Sequence, residues 1–145
     1  MKIKKVVVIG SGTMGSGIAA HLCNANIPVT LLDLKTEISE KARDKIHKSR
    51  PPLLLDKSKI TNIEVGNISD NFDVVKDADW VVEAVVERID IKHNIYQKIF
   101  KARKKGAIVS SNTSSIPIKV LSQNLTEEEK KDFCITHFFN PVRYM

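Results

Sequence analysis

Cysteine is scarce in this sequence. Among 145 residues there are two cysteines, Cys23 and Cys134, and they lie far apart. This pair has neither the spacing of a zinc site nor the even, closely spaced set of a disulfide-rich secreted domain. Thiols that stay reduced are typical of a reducing compartment. We therefore predict a cytoplasmic protein without a bound metal.

Long apolar runs are also missing. Residues 1–5 are basic, but the apolar run behind them already stops at Gly10. That run is too short for the core of a signal peptide, and a membrane-spanning helix needs about 20 apolar residues. We expect neither a secretory leader nor a membrane span.

Aromatic residues make up only 6% of the sequence, and neither charge sign dominates strongly, since 23 Lys+Arg against 17 Asp+Glu leave a net charge of +6. One basic cluster, residues 101–105, falls at the end of a predicted helix, where cations complement the helix dipole. We interpret it as a solvated helix end. Nucleic-acid binding through this cluster is the weaker alternative, and strong salt dependence would be its sign.

The clearest positive pattern lies near the N-terminus. An apolar, β-branched run at residues 6–9 leads into a glycine-rich turn, and a predicted helix and a second apolar run that ends in Asp33 follow. The turn consists of Gly10, Ser11, Gly12, Thr13, Met14 and Gly15. This order of strand, turn, helix, strand and acid predicts a βαβ unit that binds a dinucleotide.

Each position of this pattern has a separate physical role. Gly10 ends the strand in a tight turn, Gly12 lets a pyrophosphate approach the backbone, and Gly15 lets the helix lie close to the strand. Asp33 is placed to accept hydrogen bonds from ribose hydroxyls, and its charge would repel a 2′-phosphate. The predicted cofactor is therefore NAD rather than NADP, a preference that Lys35 weakens slightly. An ordinary glycine turn, with Asp33 as a turn residue, is the alternative.

Helical and strand-like segments alternate along the rest of the chain. The patterns predict helices at residues 12–24, 36–48 (with Thr36 as N-cap), 71–77, 89–104 and 117–121, with a capping box at Thr126, and strands at residues 60–65, 79–87, 107–110 and 133–136. This alternation predicts an α/β fold with a doubly wound, mostly parallel sheet of the Rossmann type, in one domain over residues 1–145.

Polar residues follow several predicted strands at their carboxyl ends, where such sheets bind ligands. Asp33, Glu87, the loop at residues 110–115, and His137 with Asn140 all have this position. We expect them to converge on one crevice. Structural alternatives remain open for them: an acid at a helix start for Glu87, a capping turn for the loop, and a strand-end turn for His137.

Four segments carry a resemblance to a known family. Residues 10–19, 82–87 (VEAVVE), 111–115 (SNTSS) and 137–141 (HFFNP) occur in the order seen in the NAD-binding part of L-3-hydroxyacyl-CoA dehydrogenases. The chain resembles that family from about Lys4 to its last residue, and most of all the dehydrogenase part of larger bacterial fatty-acid β-oxidation proteins. Dehydrogenases of 3-hydroxy acids and of sugar nucleotides have similar glycine turns but lack the segment HFFNP.

The resemblance implies that NAD oxidises L-3-hydroxyacyl-CoA to 3-ketoacyl-CoA in fatty-acid β-oxidation. His137 matches the family's catalytic histidine, and a ring with a free pKa near 6.5 suits removal of a hydroxyl proton. Ser114 matches the serine that contacts substrate and the nicotinamide side, and Asn140 helps to shape the site. Glu87 and Lys92 match positions that contact the cofactor.

The resemblance also implies partners and missing parts. Ser49, and more loosely Lys57, match positions that contact coenzyme A. The family's glutamate that orients the histidine, and a helical domain for the acyl pocket and dimerisation, would lie beyond residue 145. We therefore expect a domain that is incomplete at its C-terminal end, from a parent protein that is a homo-oligomer. Two interpretations stay open: the cofactor-binding portion of an enzyme, or a non-catalytic dinucleotide-binding fragment without turnover of its own.

Overall fold

The apolar run near the N-terminus forms the centre of a six-stranded parallel sheet in the computed structural model, which describes residues 2–145. The strands are β1 (Val6–Ile9), β2 (Val29–Asp33), β3 (Ile63–Asn67), β4 (Trp80–Glu83), β5 (Ile108–Ser111) and β6 (Phe133–Ile135). Their order is β3-β2-β1-β4-β5-β6, and every neighbouring pair is parallel. This arrangement confirms the predicted doubly wound Rossmann-type sheet.

Helices cover both faces of this sheet. They are α1 (Thr13–Asn24), α2 (Thr36–Lys48), α3 (Ile89–Ala102), α4 (Ile118–Leu121) and α5 (Glu127–Lys130). Successive strand side chains point to opposite faces, so Val6 and Val8 of β1 pack in the core cluster that contains residues of α1 and α2. Val7 and Ile9 pack in the cluster that contains residues of α3.

Two glycines of the turn are required by the fold itself. Gly10 has φ +100°, and a Cβ there would lie 2.4 Å from the carbonyl oxygen of Ala84. A Cβ on Gly15 would lie 1.8 Å from the carbonyl oxygen of Gly10. Only glycine lets β1 turn at this point and lets α1 start so close to it.

The helix α2 has the predicted bounds, but the predicted N-cap residue, Thr36, was wrong. The N-cap is Lys35, whose backbone is extended, and Thr36 is already the first helical residue. The predicted helix at residues 89–104 is α3, which ends earlier, at Ala102.

Two predicted strands are shorter than the apolar pattern that suggested them. The strand expected at residues 79–87 is β4, which ends at Glu83 because the chain leaves the sheet there. The strand expected at residues 60–65 is β3, which begins at Ile63 because a 3₁₀ turn, Lys57–Asn62, precedes it.

The basic cluster at residues 101–105 takes part in intramolecular ion pairs. Arg103 Nη1 lies 2.7 Å from Asp132 Oδ2, and Lys104 Nζ lies 2.6 Å from Asp79 Oδ1. These contacts join the end of α3 to neighbouring strands. They favour the structural interpretation of the cluster over nucleic-acid binding.

Asp79 is a junction between this helix end and the N-terminus. Its carboxylate accepts hydrogen bonds from Lys104 Nζ and from the N–H groups of Lys4 and Lys5. The hydrogen bond from Lys104, followed by that from the N–H of Lys4, lowers the pKa of Asp79 from 3.8 to about 2. The fold therefore favours the charged carboxylate.

We expect this junction to make stability depend on pH in acid. Because the pKa is lowered in the folded state, the stabilisation is complete above about pH 4 and is lost as the pH falls towards 2. Asp79→Asn should lower the melting temperature near neutral pH, and the difference in melting temperature between this variant and the wild type (the gap) should disappear near pH 2. The control Asp73→Asn, in an exposed pair with Lys76, should show little gap at any pH. A gap for Asp79→Asn that does not change with pH would contradict the assignment.

Three further observations concern residues 2–145. No helix in this range is both long and apolar enough to cross a membrane. No group of His, Cys, Asp or Glu side chains in the same range could hold a metal ion. Cys23 is a buried free thiol and Cys134 a half-buried one.

Candidate functional site

A cavity of about 690 Å³ lies at the carboxyl edge of the sheet, beside the neighbouring strands β1 and β4. The chain adds β2 and β3 on one side of this pair of strands, and β5 and β6 on the other side. This reversal of strand order is where open α/β sheets bind ligands. The turn after β1, the end of β2 and the segment after β4 all contribute walls. Its lining includes Gly10, Ser11, Gly12, Thr13, Met14, Asp33, Ala84, Val85 and Val86.

The turn leaves room for a ligand beside its backbone. A Cβ built on Gly12 would meet no protein atom within 4 Å, in contrast to Gly10 and Gly15. Gly12 is also the N-cap of α1, and Thr13 and Met14 of its first turn line the cavity. The first N–H groups of a helix have no partner within the helix and carry a partial positive charge. The turn therefore fits a pyrophosphate.

Asp33 is held at the edge of this cavity by short hydrogen bonds. Its Oδ2 accepts from the N–H of Ser11 at 2.7 Å and from the Ser11 hydroxyl at 2.6 Å. Its Oδ1 accepts from the N–H of Leu34 at 2.7 Å. A carboxylate has about four lone-pair sites, so Asp33 keeps acceptor capacity for a ribose hydroxyl. Ser11 is thereby a support for Asp33 as well as part of the turn.

A buried ion pair lies behind the segment that follows β4. Lys92 Nζ is 2.7 Å from Glu83 Oε1, and the two side chains are 1% and 0% exposed. Tyr96 donates its hydroxyl proton to Glu83 Oε2 at 2.6 Å. Burial, reinforced by the charge of Glu83, raises the pKa of Tyr96 far above its usual value, so the phenol remains a donor.

Glu87 links this pair to the polar loop after β5. Its Oε2 lies 3.3 Å from Lys92 Nζ, and its Oε1 accepts a hydrogen bond from the Thr113 hydroxyl. Oε1 also accepts from the N–H of Ser114 at 3.2 Å. Burial works to raise the pKa of Glu87, but the hydrogen bond from Thr113 and the charge of Lys92 outweigh it and lower the pKa below its ordinary value. Glu87 is therefore charged at neutral pH.

The loop brings a serine to the predicted catalytic histidine. Ser114 Oγ lies 3.2 Å from His137 Nε2, and both residues are exposed. The ring of Phe139 lies against the imidazole, with ring centroids 4.7 Å apart. The N–H of Phe138 donates to Asn112 Oδ1 at 2.8 Å, which ties the segment that carries His137 to the loop that carries Ser114.

Three predicted site residues are not brought into these contacts. Asn140 is exposed, and no hydrogen bond among residues 2–145 joins its side chain to His137 or Ser114. Ser49 follows α2, where its hydroxyl donates to the carbonyl of Ile46 and accepts from the N–H of Leu53. Lys57 is exposed at the start of a 3₁₀ turn. Their roles stay predictions.

No individual role was predicted for Glu83, Tyr96 or Ser111. The three meet through hydrogen bonds of 2.6 Å to Glu83 Oε2, although they lie on different elements. The available signal was a carboxylate inside the apolar strand β4, followed nine positions later by Lys92. A charge in a buried strand requires a partner.

Comparison with known proteins identifies the family of the chain. The family model described as 3-hydroxyacyl-CoA dehydrogenase, NAD binding domain, matches residues 5–145, which confirms the predicted cofactor. A Rickettsia felis protein, whose name describes a fatty acid oxidation complex trifunctional enzyme, is 45% identical over 99% of the chain. A Deinococcus radiodurans protein named "Probable 3-hydroxyacyl-CoA dehydrogenase" is 43% identical over 100% of the chain. The chain spans 21% and 44% of these relatives.

Solved structures share the fold over nearly the whole chain. The 3-hydroxybutyryl-CoA dehydrogenase of Escherichia coli K12 superposes with a TM-score of 0.86 at 27% identity, over 100% of this chain and 31% of the other. The (S)-3-hydroxybutyryl-CoA dehydrogenase PaaH1 of Ralstonia eutropha gives 0.83 at 30% identity, over 99% of this chain and 52% of the other.

Proposed function

Because the chain belongs to the NAD-binding domain family of the 3-hydroxyacyl-CoA dehydrogenases, we propose that it serves the oxidation of an L-3-hydroxyacyl-CoA to the 3-ketoacyl-CoA. The four segments singled out in the sequence predicted this family, and the prediction is confirmed. The activity, the acyl-CoA substrate and its place in fatty-acid β-oxidation are proposals, since the chain spans less than half of these two relatives.

The observation that carries the proposal is the contact between Ser114 and His137 beside the cavity. Val86 lines the cavity, and the next residue, Glu87, contacts the loop that carries Ser114. A dinucleotide on the glycine turn would therefore extend along the same edge of the sheet as the imidazole. A general base has to lie within hydrogen-bond reach of the proton that it removes.

The chain's own residues account for binding and for proton removal. The N–H groups of the turn bind the pyrophosphate, and Asp33 binds the adenosine ribose. NAD, when bound, supplies the hydride acceptor. His137 takes the proton of the substrate hydroxyl at a ring nitrogen as the C3 hydride leaves, and Ser114 orients the ring through its 3.2 Å contact with Nε2. In the reverse direction the protonated imidazole donates to the carbonyl oxygen.

Asp33→Ala tests the cofactor part of the proposal. We expect NAD⁺ affinity to fall about 10- to 100-fold, because hydrogen bonds to a charged acceptor contribute about 1.5–3 kcal/mol. The preference for NAD⁺ over NADP⁺ should shrink as well, because the repelling charge is gone. The measurement is calorimetric titration with both dinucleotides. Asp73→Ala makes the same charge change on the exposed surface and should leave both affinities unchanged; equal losses in the two variants would refute the ribose contact.

One observation favours a second candidate, a dinucleotide-binding unit without turnover. Within the part of the chain that the structure describes, Ser114 is the hydrogen-bond partner of the His137 ring, and no carboxylate contacts it. Loss of an orienting carboxylate cost about 10⁴-fold in turnover in a serine protease. Single-turnover assays with NADH and acetoacetyl-CoA, with the protein in excess, distinguish the two: NADH binding without oxidation supports the second candidate.

Compartment and assembly complete the proposal. The two free thiols support a reducing compartment, and we propose the cytoplasm. The homo-oligomer implied by the resemblance is also a proposal. Light scattering on the longest form of the protein that can be expressed would test it.

A further inference from the structure

The Glu83 carboxylate is fully buried and has no place in the chemistry proposed above. Four groups donate to it: Lys92 Nζ at 2.7 Å and the N–H of Val85 at 2.9 Å to Oε1, and the hydroxyls of Tyr96 and Ser111, each at 2.6 Å, to Oε2. These donors match the roughly four lone-pair sites of a carboxylate. A buried ion pair adds little stability over apolar residues of similar size, because desolvation offsets the attraction. Stability alone therefore does not account for this arrangement.

The first of two routes from Glu83 to the polar loop runs through Lys92. Lys92 Nζ touches Glu83 and lies 3.3 Å from Glu87 Oε2. Glu87 Oε1 in turn accepts from the N–H groups of Ser114 at 3.2 Å and Ser115 at 3.4 Å. The single positive charge of Lys92 is shared between two carboxylates. Without the charge on Glu83, the full attraction of Lys92 would fall on Glu87 and draw it away from the loop.

The second route runs through Ser111. Its hydroxyl donates to Glu83 Oε2 and accepts from the N–H of Thr113 at 3.3 Å. Both routes thus end on residues 113–115, and Ser114 is the residue in contact with His137.

We propose that Glu83 is a positioning residue that, through Lys92, Glu87 and Ser111, holds the Ser114 hydroxyl against His137. The proposal rests on the proposed function for the use of that contact, but the contact itself can be measured without turnover. Removal of the Glu83 charge should free the loop and change the environment of the imidazole, while the sheet and the glycine turn remain.

The test is NMR spectroscopy of the 145-residue chain with Glu83→Gln and, as a matched control, Tyr96→Phe. The control removes one donor to Glu83 but neither route to the loop. In Glu83→Gln we expect the amides of Ser114 and Ser115 to exchange with solvent about tenfold faster and the ¹⁵N signal of His137 Nε2 to move. In Tyr96→Phe both should stay as in the wild type, although the melting temperature falls in both variants. Unchanged signals in Glu83→Gln, or equal changes in both variants, would overturn the proposal.

Two further variants keep the test decisive if Glu83→Gln does not fold. Glu83→Gln/Lys92→Met removes both buried charges together, which proteins often tolerate, and leaves no Lys92 to draw Glu87 away, so the amide of Ser115 should keep its wild-type exchange. Ser111→Ala cuts only the second route, and the amides of Thr113 and Ser114 should exchange faster. Wild-type exchange in Ser111→Ala, or faster exchange of Ser115 in the double variant, contradicts the proposal. NAD⁺ titration of the wild type runs in parallel: a chain that does not bind NAD⁺ refutes the proposed function, whereas the exchange result decides the role of Glu83 separately.

Discussion

Gly12→Ala is expected to weaken NAD⁺ binding about 100-fold or more while the protein stays folded. The new methyl group meets no protein atom within 4 Å, and φ at Gly12 is −65°, which suits any residue. The same methyl group would occupy the space in which the pyrophosphate approaches the turn. A factor of 100 corresponds to about 2.7 kcal/mol, the scale of one or two lost hydrogen bonds to a charged group. Calorimetric titration gives the affinity, and thermal denaturation checks the fold.

Gly15→Ala is the matched control three residues away. Its methyl group would lie 1.8 Å from the carbonyl oxygen of Gly10, so α1 must move away from β1, at a cost of about 3 kcal/mol in stability. One substitution should therefore act on binding and the other on folding. Intact NAD⁺ binding by Gly12→Ala would show that the turn does not hold the pyrophosphate.

The same glycines explain why the βαβ unit was predictable from sequence. Each position has a local cause: Gly10 has a positive φ, and a Cβ on Gly15 would collide with the carbonyl oxygen of Gly10. Asn26, with φ 60°, directly follows Ala25, the C-cap of α1, in the left-handed conformation that asparagine tolerates. Gly106, with φ 80°, lies in the turn between α3 and β5, beyond the C-cap Arg103. Local causes are visible in a single sequence.

The predicted strand bounds were wrong where apolar residues lie outside the sheet. The run after β4 continues through Ala84, Val85 and Val86, and the sequence could not tell that these side chains line a cavity. At the other edge of the sheet, the 3₁₀ turn Lys57–Asn62 shares its alternating pattern with the strand that follows. Periodicity reports which side chains avoid water, not what covers them.

The candidate site divides in the same way. Glu87, Ser114 and His137, which were predicted to follow strand ends, do lie together, because parallel strands end at one edge. The buried hydrogen bonds around Glu83 were not predictable, because Ser111, which donates to Glu83, lies 28 positions away in the sequence. Such a pairing depends on the register of β4 against β5, which sets Glu83 beside Ser111 and which a single sequence does not reveal.

His137→Ala should lower the rate of acetoacetyl-CoA reduction by NADH about 10³-fold and leave NADH affinity within about threefold, since general-base groups contribute about 10²–10⁴-fold. The reason is geometric: the imidazole contacts Ser114 and Phe139, whereas the turn and Asp33 line the cavity. The measurement is a single-turnover absorbance trace with protein in excess, beside a fluorescence titration with NADH.

The control for this prediction is His47→Ala, which removes an exposed histidine from α2 and should change neither quantity. If both variants reduce the substrate as fast as the wild type, His137 is not the base, even though the family is established. If the wild type binds NADH and shows no oxidation, the chain is a binding unit, and the contact with Ser114 alone does not make its imidazole an effective base. Loss of binding together with turnover in His137→Ala would instead place the imidazole at the cofactor, because a group that acts only on the substrate proton contributes to the rate and not to dinucleotide affinity.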